Sequence, residues 1–256
     1  MTMKKLISTL CFLAIAIVAV AQTQVISHRG YWNHAGSAKN SLKAYVLADS
    51  IGSYGSEFDV WITADDHIVV NHDNSYKGKK IEESTLAELQ GLHLDNGEPM
   101  PSLRQFFEIA KRQTSGMHLI LELKGHSTEA RETHAVERIV KLVKEYGLED
   151  RMEYISFSLH GCKEFIRLAP KGTPVFYLNG ELSPAQLKEM GFAGMDYHEG
   201  VILDHPEWVK EAHNLGMKVN VWTVNKAETM RKLIDLNVDY ITTDEPELLQ
   251  SVLKEN

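Results

Sequence analysis

The sequence is poor in cysteine, with only two in 256 residues. Cys11 lies in an apolar stretch near the start of the chain, and Cys162 lies in its second half. If the apolar stretch is removed, Cys162 has no partner within the chain, which excludes an intramolecular disulfide even in an oxidising compartment. The simplest interpretation of Cys162 is a small hydrophobic residue buried in the core.

Long hydrophobic runs are also scarce. The longest, Leu6–Val20, has about 15 residues, fewer than the roughly 20 that a membrane-spanning helix needs. Lys4 and Lys5 precede it, and Ala19-Val20-Ala21 at its end has the small residues that a signal peptidase recognises. The pattern predicts that residues 1–21 are a cleaved signal peptide and that the protein is exported, to the periplasm or out of the cell. The alternative is a retained membrane anchor.

Basic residues are also fewer than acidic residues, 27 against 35, which gives a formal charge of −8. Removal of the two lysines in the signal peptide lowers this charge to −10. Nucleic-acid binding requires a basic face that neutralises phosphates, so nucleic acid is disfavoured as a partner. A small anionic substrate would instead have to be held by a local cation.

The sequence has no internal repeats, linkers or low-complexity segments. Short β-rich runs alternate with longer helical runs, which predicts an α/β protein with a parallel sheet. The length is close to the roughly 250 residues of a (β/α)8 TIM barrel, so we expect one such domain over residues 22–256. Eight barrel strands are predicted, near residues 25–28, 55–61, 118–122, 153–157, 174–178, 193–197, 218–223 and 238–242.

Two stretches depart from this alternation. The run His67–Asn71 follows the second predicted strand after a gap that is too short for a parallel crossover, which predicts a β-hairpin extension on that strand. Residues 74–101 contain a short helix start and several helix breakers. We interpret them as an insertion over one mouth of the barrel.

Acidic residues interrupt the second and third predicted strands. Glu57 and Asp59 are two positions apart, so their side chains share one face of a strand, and the same holds for Glu122 and Lys124. Neighbouring buried carboxylates repel one another unless a positive charge lies between them. An all-oxygen set of ligands suits Mg²⁺ or Ca²⁺ better than Zn²⁺. The alternative is a structural salt-bridge network with Arg29 and Lys124.

Two histidines, His28 and His72, each follow a predicted strand and precede a charged residue. Cleavage of a phosphodiester requires one proton to be taken and another to be given, and histidine titrates in the range that serves both steps. A single histidine at the end of a strand is more often an ordinary hydrogen-bonded residue, but two histidines together with three acids favour catalysis. We interpret Asp73 as a residue that orients His72, and Asp244 as a structural acid at the end of the last strand.

Seven short motifs resemble, in their order, those of the glycerophosphodiester phosphodiesterase family. Each is weak alone, but the combination is specific and covers about residues 25–250. The motifs are Ser27-His28-Arg29-Gly30, Lys39-Asn40-Ser41, Glu57-Phe58-Asp59, Val69-Val70-Asn71-His72-Asp73, Glu122-Leu123-Lys124, Val221-Trp222-Thr223-Val224-Asn225 and Thr243-Asp244-Glu245-Pro246.

The resemblance implies a metal-dependent hydrolase on a (β/α)8 barrel that acts on a small glycerophosphodiester. In that family the glycerol 2-hydroxyl attacks phosphorus and expels an alcohol, and water then opens the cyclic phosphate to give glycerol 3-phosphate. The resemblance implies that His28 and His72 act as acid and base. It implies that one divalent cation binds to Glu57, Asp59 and Glu122, and that Arg29 and Lys124 contact the phosphate. Asn40 and Trp222 are expected to contact the substrate in the site.

The chain departs from the family at Lys39-Asn40-Ser41, where the family usually has Glu-Asn-Thr. A cation at this position would repel a cationic leaving group such as choline, so a neutral or anionic headgroup is expected to be preferred. Two other functions fit the same fold. One is a phospholipase D-like activity on lysophospholipids, and the other is a secreted binding protein that has lost catalysis.

Overall fold

The computed structural model describes residues 22–255, and the predicted signal peptide, residues 1–21, lies outside this range. The strands, in chain order, are β1 (Gln24–Ser27), β2 (Gly55–Ile62), β3 (Ile68–Val70), β4 (Ser75–Tyr76), β5 (Lys79–Lys80), β6 (His118–Leu123), β7 (Met152–Ser156), β8 (Val175–Tyr177), β9 (Gly194–His198), β10 (Lys218–Trp222) and β11 (Tyr240–Thr243). The helices are α1 (Leu42–Ser50), α2 (Leu86–Gln90), α3 (Leu103–Arg112), α4 (Glu129–Tyr146), α5 (Leu159–Leu168), α6 (Pro184–Glu189), α7 (Glu199–Asp204), α8 (Glu207–Asn214), α9 (Ala227–Asp235) and α10 (Pro246–Glu255).

A closed parallel barrel forms the centre of the structure. Its eight strands follow one another in the order β1, β2, β6, β7, β8, β9, β10 and β11. The ring closes because β1 pairs in parallel with both β2 and β11. All eight barrel strands predicted from the sequence are present, with their ends shifted by at most two residues. The predicted (β/α)8 TIM barrel is therefore confirmed.

Side chains of the barrel strands alternate between a helix-facing core and the barrel interior. On β2, Phe58 and Val60 pack in the large apolar cluster between strands and helices. Glu57 and Asp59, at the intervening positions, therefore point into the barrel. Cys162 is fully buried in the helix-facing cluster, as predicted. A separate apolar cluster inside the barrel is formed by Ile26, Ile120, Ile155, Phe176 and Leu178.

Helix α3 begins where Ser102 caps it. The Ser102 hydroxyl accepts a hydrogen bond from the Gln105 N–H, and the Gln105 side chain accepts one from the Ser102 N–H. This reciprocal pair satisfies backbone donors that the first helical turn leaves open. The helix then buries an apolar face at the spacing of helical turns, formed by Leu103, Phe106, Phe107 and Ala110.

The predicted hairpin on the second strand is confirmed. Beyond β2 the chain turns through Asp66, which has a φ of 61°, and β3 returns antiparallel with Val70 opposite Val60. The Asn71 N–H then donates to the Asp59 carbonyl oxygen at 3.0 Å. The hairpin thus carries the residue after Asn71, His72, back to the level of Asp59 at the end of the barrel.

The insertion at residues 74–101 contains the β4–β5 hairpin, a 3-10 turn at Ile81–Glu83 and helix α2. Its residues Ile81, Leu89 and Met100 form a small core with Trp61 of β2 and Val69 of β3. Three residues of the insertion, Tyr76, Leu94 and Asp95, line a cavity together with Arg29 and His72. The insertion therefore borders the mouth at the carboxyl ends of the strands. No helix within residues 22–255 combines the length and apolarity that a bilayer-spanning segment needs.

Candidate active site

Most of the site residues predicted from the sequence meet in one cavity at the carboxyl ends of the barrel strands, whereas Asp59 and Asn40 are not among the residues that line it. This is the end where the catalytic loops of such barrels gather. The cavity has a volume of about 150 Å³. Seven of the site residues predicted from the sequence line this cavity, namely His28, Arg29, Glu57, His72, Glu122, Lys124 and Trp222.

An acidic cluster occupies the β2 and β6 side of the cavity. It consists of Glu57, Asp59 and Glu122, whose side chains each place one carboxylate oxygen within 4.8 Å of those of the other two. The proximity follows from the pairing of the strands, because Asp59 lies opposite Glu122 in the parallel register of β2 and β6. All three residues are buried, with exposed fractions of 2%, 1% and 8%.

Two cations compensate part of this charge. The Lys124 Nζ atom lies 2.6 Å from Glu122 Oε1 and 3.3 Å from Asp59 Oδ1. The Arg29 Nε atom lies 3.5 Å from Asp59 Oδ2. Burial raises the pKa of Asp59, but the charges of Lys124 and Arg29 outweigh it and hold the pKa below its usual range. The salt-bridge network considered from the sequence is therefore present around Asp59.

Glu57 is not accounted for by that network. Its Oε2 atom accepts a hydrogen bond from the Arg29 N–H at 2.7 Å, but its buried Oε1 atom has no hydrogen-bond partner among residues 22–255. Burial raises the pKa of Glu57 well above its ordinary value, and the charges of Asp59 and Glu122 raise it further. Burial and the charge of Asp59 likewise raise the pKa of Glu122 to about 7. These carboxylates have the donor atoms, proximity and unmet charge that fit a hard divalent cation.

Each histidine is held by a carboxylate through its Nδ1 atom. His28 Nδ1 lies 2.8 Å from Asp244 Oδ1, and His72 Nδ1 lies 2.7 Å from Asp73 Oδ1. Such a contact fixes the proton on Nδ1 in the neutral ring and leaves Nε2 as the atom that exchanges a proton. The contact expected between Asp73 and His72 is present.

Asp244, interpreted from the sequence as a structural acid, contacts three side chains, one of which is His28. Besides His28, it accepts hydrogen bonds from Trp32 Nε1 and Asn225 Nδ2, both at 2.8 Å. Burial raises the pKa of Asp244, but the hydrogen bond and charge of His28 outweigh it and hold the pKa below its usual range. Closure of the barrel explains the contact, since Ser27 lies opposite Thr243 and the next residues, His28 and Asp244, emerge side by side.

Asn40 and Arg29 come together through two left-handed backbone positions, with φ values of 59° and 55°. The Asn40 N–H donates to the Arg29 carbonyl oxygen at 3.0 Å. The Asn40 side chain forms a double contact with Asp59, donating to Oδ2 at 2.8 Å and accepting from the Asp59 N–H at 3.2 Å. Asn40 therefore positions an acid of the cluster, and its contact with substrate stays a prediction.

Glycine is required at position 30 in the same turn. Gly30 has a φ of 76°, and a Cβ atom there would lie 2.7 Å from the backbone of Ala44. Only glycine accommodates both that backbone conformation and the close approach of helix α1. This contact sets the position at which the chain leaves β1, and with it the positions of His28 and Arg29.

Trp222 forms an aromatic wall on the far side of the cavity. Its Nε1–H donates to the carbonyl oxygen of Asp196 at 2.9 Å, which fixes the plane of the indole. Phe157 and His198 contact the indole edge-to-face, with ring centroids 5.5 Å and 5.3 Å away. The cavity thus has a charged side and an aromatic side.

Lys39 lies near the cavity but is directed elsewhere. Its ammonium stands over the Trp32 ring, 4.3 Å from the ring centroid. It lines a neighbouring cavity that also includes Arg29 and His72. A positive charge therefore lies beside the mouth, and its effect on headgroup choice stays a prediction.

His126 was not among the site residues predicted from the sequence, yet it connects two strands of the site. The Ile62 N–H donates to His126 Nε2 at 3.0 Å, so the ring proton must lie on Nδ1, which is 2.7 Å from the Lys124 carbonyl oxygen. The ring thereby joins the end of β2 to the segment that carries Lys124. Burial lowers the pKa of His126, and the charge of Glu82 opposes this only in part.

We expect His126 to make folding stability depend on pH. Its pKa is lower in the folded than in the unfolded chain, so its contribution is complete above the unfolded pKa of about 6.5 and is lost as the pH falls below that value. The variant His126→Gln should lose less stability than wild type between pH 7.5 and 5.5. Urea unfolding in EDTA at both pH values measures the difference.

The matched control is His205→Gln, at a histidine whose side chain is 48% exposed. This control should keep the wild-type dependence of stability on pH. If both variants changed that dependence equally, or if His126→Gln left it unchanged, the role assigned to His126 would be wrong.

Comparison with known proteins identifies similar sequences over the whole barrel. The family model described as "Glycerophosphoryl diester phosphodiesterase family" matches residues 28–248, a range that contains both histidines and the complete acidic cluster. A glycerophosphodiester phosphodiesterase of Caldanaerobacter subterraneus subsp. tengcongensis is 27% identical over 248 residues, which are 91% of this chain and 98% of that protein.

Solved structures agree in fold. The crystal structure of a glycerophosphodiester phosphodiesterase from Parabacteroides distasonis has 51% identity and a TM-score of 0.90, over 92% of this chain and 98% of that chain. An Oleispira antarctica phosphodiesterase, solved in complex with the product sn-glycerol-3-phosphate, has 26% identity and a TM-score of 0.78, over 91% of this chain and 97% of that chain.

Proposed function

The chain belongs to the glycerophosphoryl diester phosphodiesterase family, and we propose that it hydrolyses its substrates with two histidines as acid and base beside one divalent cation. It is an enzyme of the glycerophosphodiester phosphodiesterase type. The observation that supports the proposed chemistry most strongly is the juxtaposition in one cavity of the acidic cluster and the two carboxylate-held histidines.

The proton transfers are assigned to the Nε2 atoms of His28 and His72. In the first step, one ring takes the proton of the glycerol 2-hydroxyl as its oxygen bonds to phosphorus, and the other gives a proton to the departing alcohol oxygen. In the second step, the roles reverse as water opens the cyclic phosphate. Each ring then returns to its starting protonation state. The products are glycerol 3-phosphate and an alcohol.

Charge on the phosphate is balanced by Arg29 and Lys124. Both line the cavity and both lie within 4 Å of Asp59, so they place positive charge beside the acidic cluster. Charge-assisted hydrogen bonds from these groups to the phosphate oxygens strengthen as negative charge accumulates there. A divalent cation, Mg²⁺ or Ca²⁺, held by Glu57, Asp59 and Glu122 would supply further positive charge to those oxygens.

The relative from Oleispira antarctica supports the proposed product, because its structure contains sn-glycerol-3-phosphate. The predicted signal peptide adds a proposal about location, namely that the enzyme acts outside the cytoplasm. A small-molecule diester released from degraded lipid is a suitable substrate for such an enzyme.

We expect glycerol 3-phosphate to be released from glycerophosphodiesters only when a divalent cation is present. EDTA should lower the rate at least about a hundredfold, since a bound metal supplies several kcal/mol of charge stabilisation. Mg²⁺ or Ca²⁺ added in excess should restore it. An enzyme-coupled assay of glycerol 3-phosphate measures the rate, with choline release from lysophosphatidylcholine as the comparison.

Activity that survives chelation would remove the metal from this mechanism, and faster cleavage of the lysophospholipid would favour the phospholipase D-like alternative. The same assay compares glycerophosphocholine with glycerophosphoglycerol and glycerophosphoinositol. A strong preference for choline would contradict the effect expected of Lys39.

A further inference from the structure

Asp196 is a buried acid on the wall of the cavity that the proposed mechanism does not use. It lies on β9, where its neighbours Met195 and Tyr197 pack in the helix-facing core. By the alternation of a strand, Asp196 points into the barrel, and it lines the catalytic cavity. Its exposed fraction is 1%.

The carboxyl of Asp196 is only partly satisfied by residues 22–255. Its Oδ1 atom is buried and has no hydrogen-bond partner among residues 22–255, and no cationic side chain in that range forms an ion pair with it. Asn220, the residue opposite Asp196 on β10, makes a side-chain hydrogen bond to the carboxyl and also donates from Nδ2 to the Thr242 hydroxyl at 2.9 Å. A buried carboxyl oxygen without a partner is costly, so its presence in a ligand cavity indicates that a ligand group completes it.

The position of Asp196 relates it to the acidic cluster. In the ring of eight strands, β9 is four strands from β2 in either direction, so Asp196 faces Glu57 and Asp59 across the barrel. For a phosphodiester whose phosphate lies at the β2 side, Asp196 is therefore on the opposite wall of the cavity. Trp222, Leu178 and Ile155 line the cavity as well.

The protonation state of Asp196 suits a neutral partner. Burial raises its pKa well above the ordinary value, and Asn220 opposes this only in part. A protonated carboxyl both donates and accepts a hydrogen bond, as an alcohol does. It is therefore matched to a hydroxyl group rather than to a cationic headgroup.

We propose that Asp196 is a specificity-determining residue that binds the free terminal hydroxyl of the substrate's glycerol. This inference rests on the proposed function, in which the 2-hydroxyl is the attacking group and the terminal hydroxyl is left to be recognised. In a 1-acyl lysophospholipid the terminal oxygen is esterified and cannot donate to Asp196. The residue thus selects deacylated glycerophosphodiesters over lysophospholipids.

The test compares two substrates that differ only in this hydroxyl. Glycerophosphocholine has it, and 2-hydroxypropyl phosphocholine lacks it but keeps the attacking 2-hydroxyl. With Mg²⁺ or Ca²⁺ present, wild type should prefer glycerophosphocholine by about 10- to 100-fold in kcat/KM, the usual effect of leaving a buried polar group unpaired. Asp196→Ala should lose that preference by reacting more slowly with glycerophosphocholine alone, mainly through a higher KM.

The conservative variant Asp196→Asn keeps a donor and an acceptor, and should retain most of the preference. Circular dichroism and thermal unfolding verify that both variants are folded. An equal loss of activity of Asp196→Ala on the two substrates would indicate a structural role and overturn the proposal. A loss in Asp196→Asn as large as in Asp196→Ala would also overturn it, because charge would then matter rather than hydroxyl recognition. If wild type hydrolyses neither of these substrates nor glycerophosphoglycerol, which has a neutral headgroup, the proposed function itself is wrong.

Discussion

Substitution of either His28 or His72 by alanine is expected to lower kcat for glycerophosphodiester hydrolysis by about 10²- to 10⁴-fold, the usual contribution of a general acid or base. Both rings line the same cavity, and each is held at Nδ1 by a carboxylate so that Nε2 carries the exchangeable proton. Neither side chain belongs to the apolar core, since their exposed fractions are 18% and 41%. The variants should therefore remain folded, and steady-state rates of glycerol 3-phosphate release measure the effect.

The double variant makes this prediction more stringent. If the two histidines serve one reaction, removal of both should cost little more than removal of the more important one, because residues that act as a unit are not additive. His34→Ala is the control and should keep wild-type activity, because the His34 side chain forms a hydrogen bond only with the Ala35 carbonyl oxygen among residues 22–255. A single variant that retained a tenth or more of the wild-type kcat would exclude that histidine as the acid or base.

Much of this site was predictable from the sequence because it follows from strand periodicity. The two-residue spacing of Glu57 and Asp59 places both acids inside the barrel, and the parallel neighbour strand brings Glu122 to the same level. The hairpin that returns His72 to the mouth was predictable from a gap too short for a crossover. These relations depend on local spacing and on the order of neighbouring strands.

The features of the site that were not predicted depend on contacts between distant parts of the chain. Asp244 meets His28 only because the last strand closes on the first, a register that no local pattern specifies. His126 acts through two backbone groups of other elements, so its side chain alone gives no indication of its role. Asp196 is one acid in an otherwise ordinary strand, and only the three-dimensional structure shows that its Oδ1 atom has no partner among residues 22–255.

The second large effect is expected at the acidic cluster, because its three carboxylates face two cations and Glu57 Oε1 has neither a hydrogen-bond nor an ion-pair partner among residues 22–255. The pKa of Glu57 is higher in the folded chain than in the unfolded chain, chiefly because of burial. Above the unfolded pKa of about 4.3, an acid of this kind opposes folding, and the cost disappears as the pH falls below that value. A bound divalent cation outweighs this cost of the buried acid, since it binds to the folded state alone and stabilises it.

Glu57→Gln should therefore change activity and stability in opposite directions. Activity should fall at least about 10³-fold, because the cation loses a ligand and with it several kcal/mol of transition-state stabilisation. In EDTA at pH 7, however, the variant should unfold at a higher temperature than wild type, since the buried acid is gone. With the cation at about 100 times its Kd, wild type should gain roughly 2.7 kcal/mol of stability and the variant almost none, so the order of the two melting temperatures inverts.

Thermal unfolding with and without Mg²⁺ or Ca²⁺ measures this inversion, and Glu153→Gln is the matched control. Glu153 is also a buried glutamate of the barrel interior, but it pairs with His118 and Tyr54 rather than with the acidic cluster. Its substitution should lower stability in both conditions and leave the gain on metal addition intact, because a broken buried pair costs free energy whether or not the cation is bound. If Glu57→Gln gained as much stability from the cation as wild type does, Glu57 would not be a ligand, and its unpaired oxygen would need another explanation.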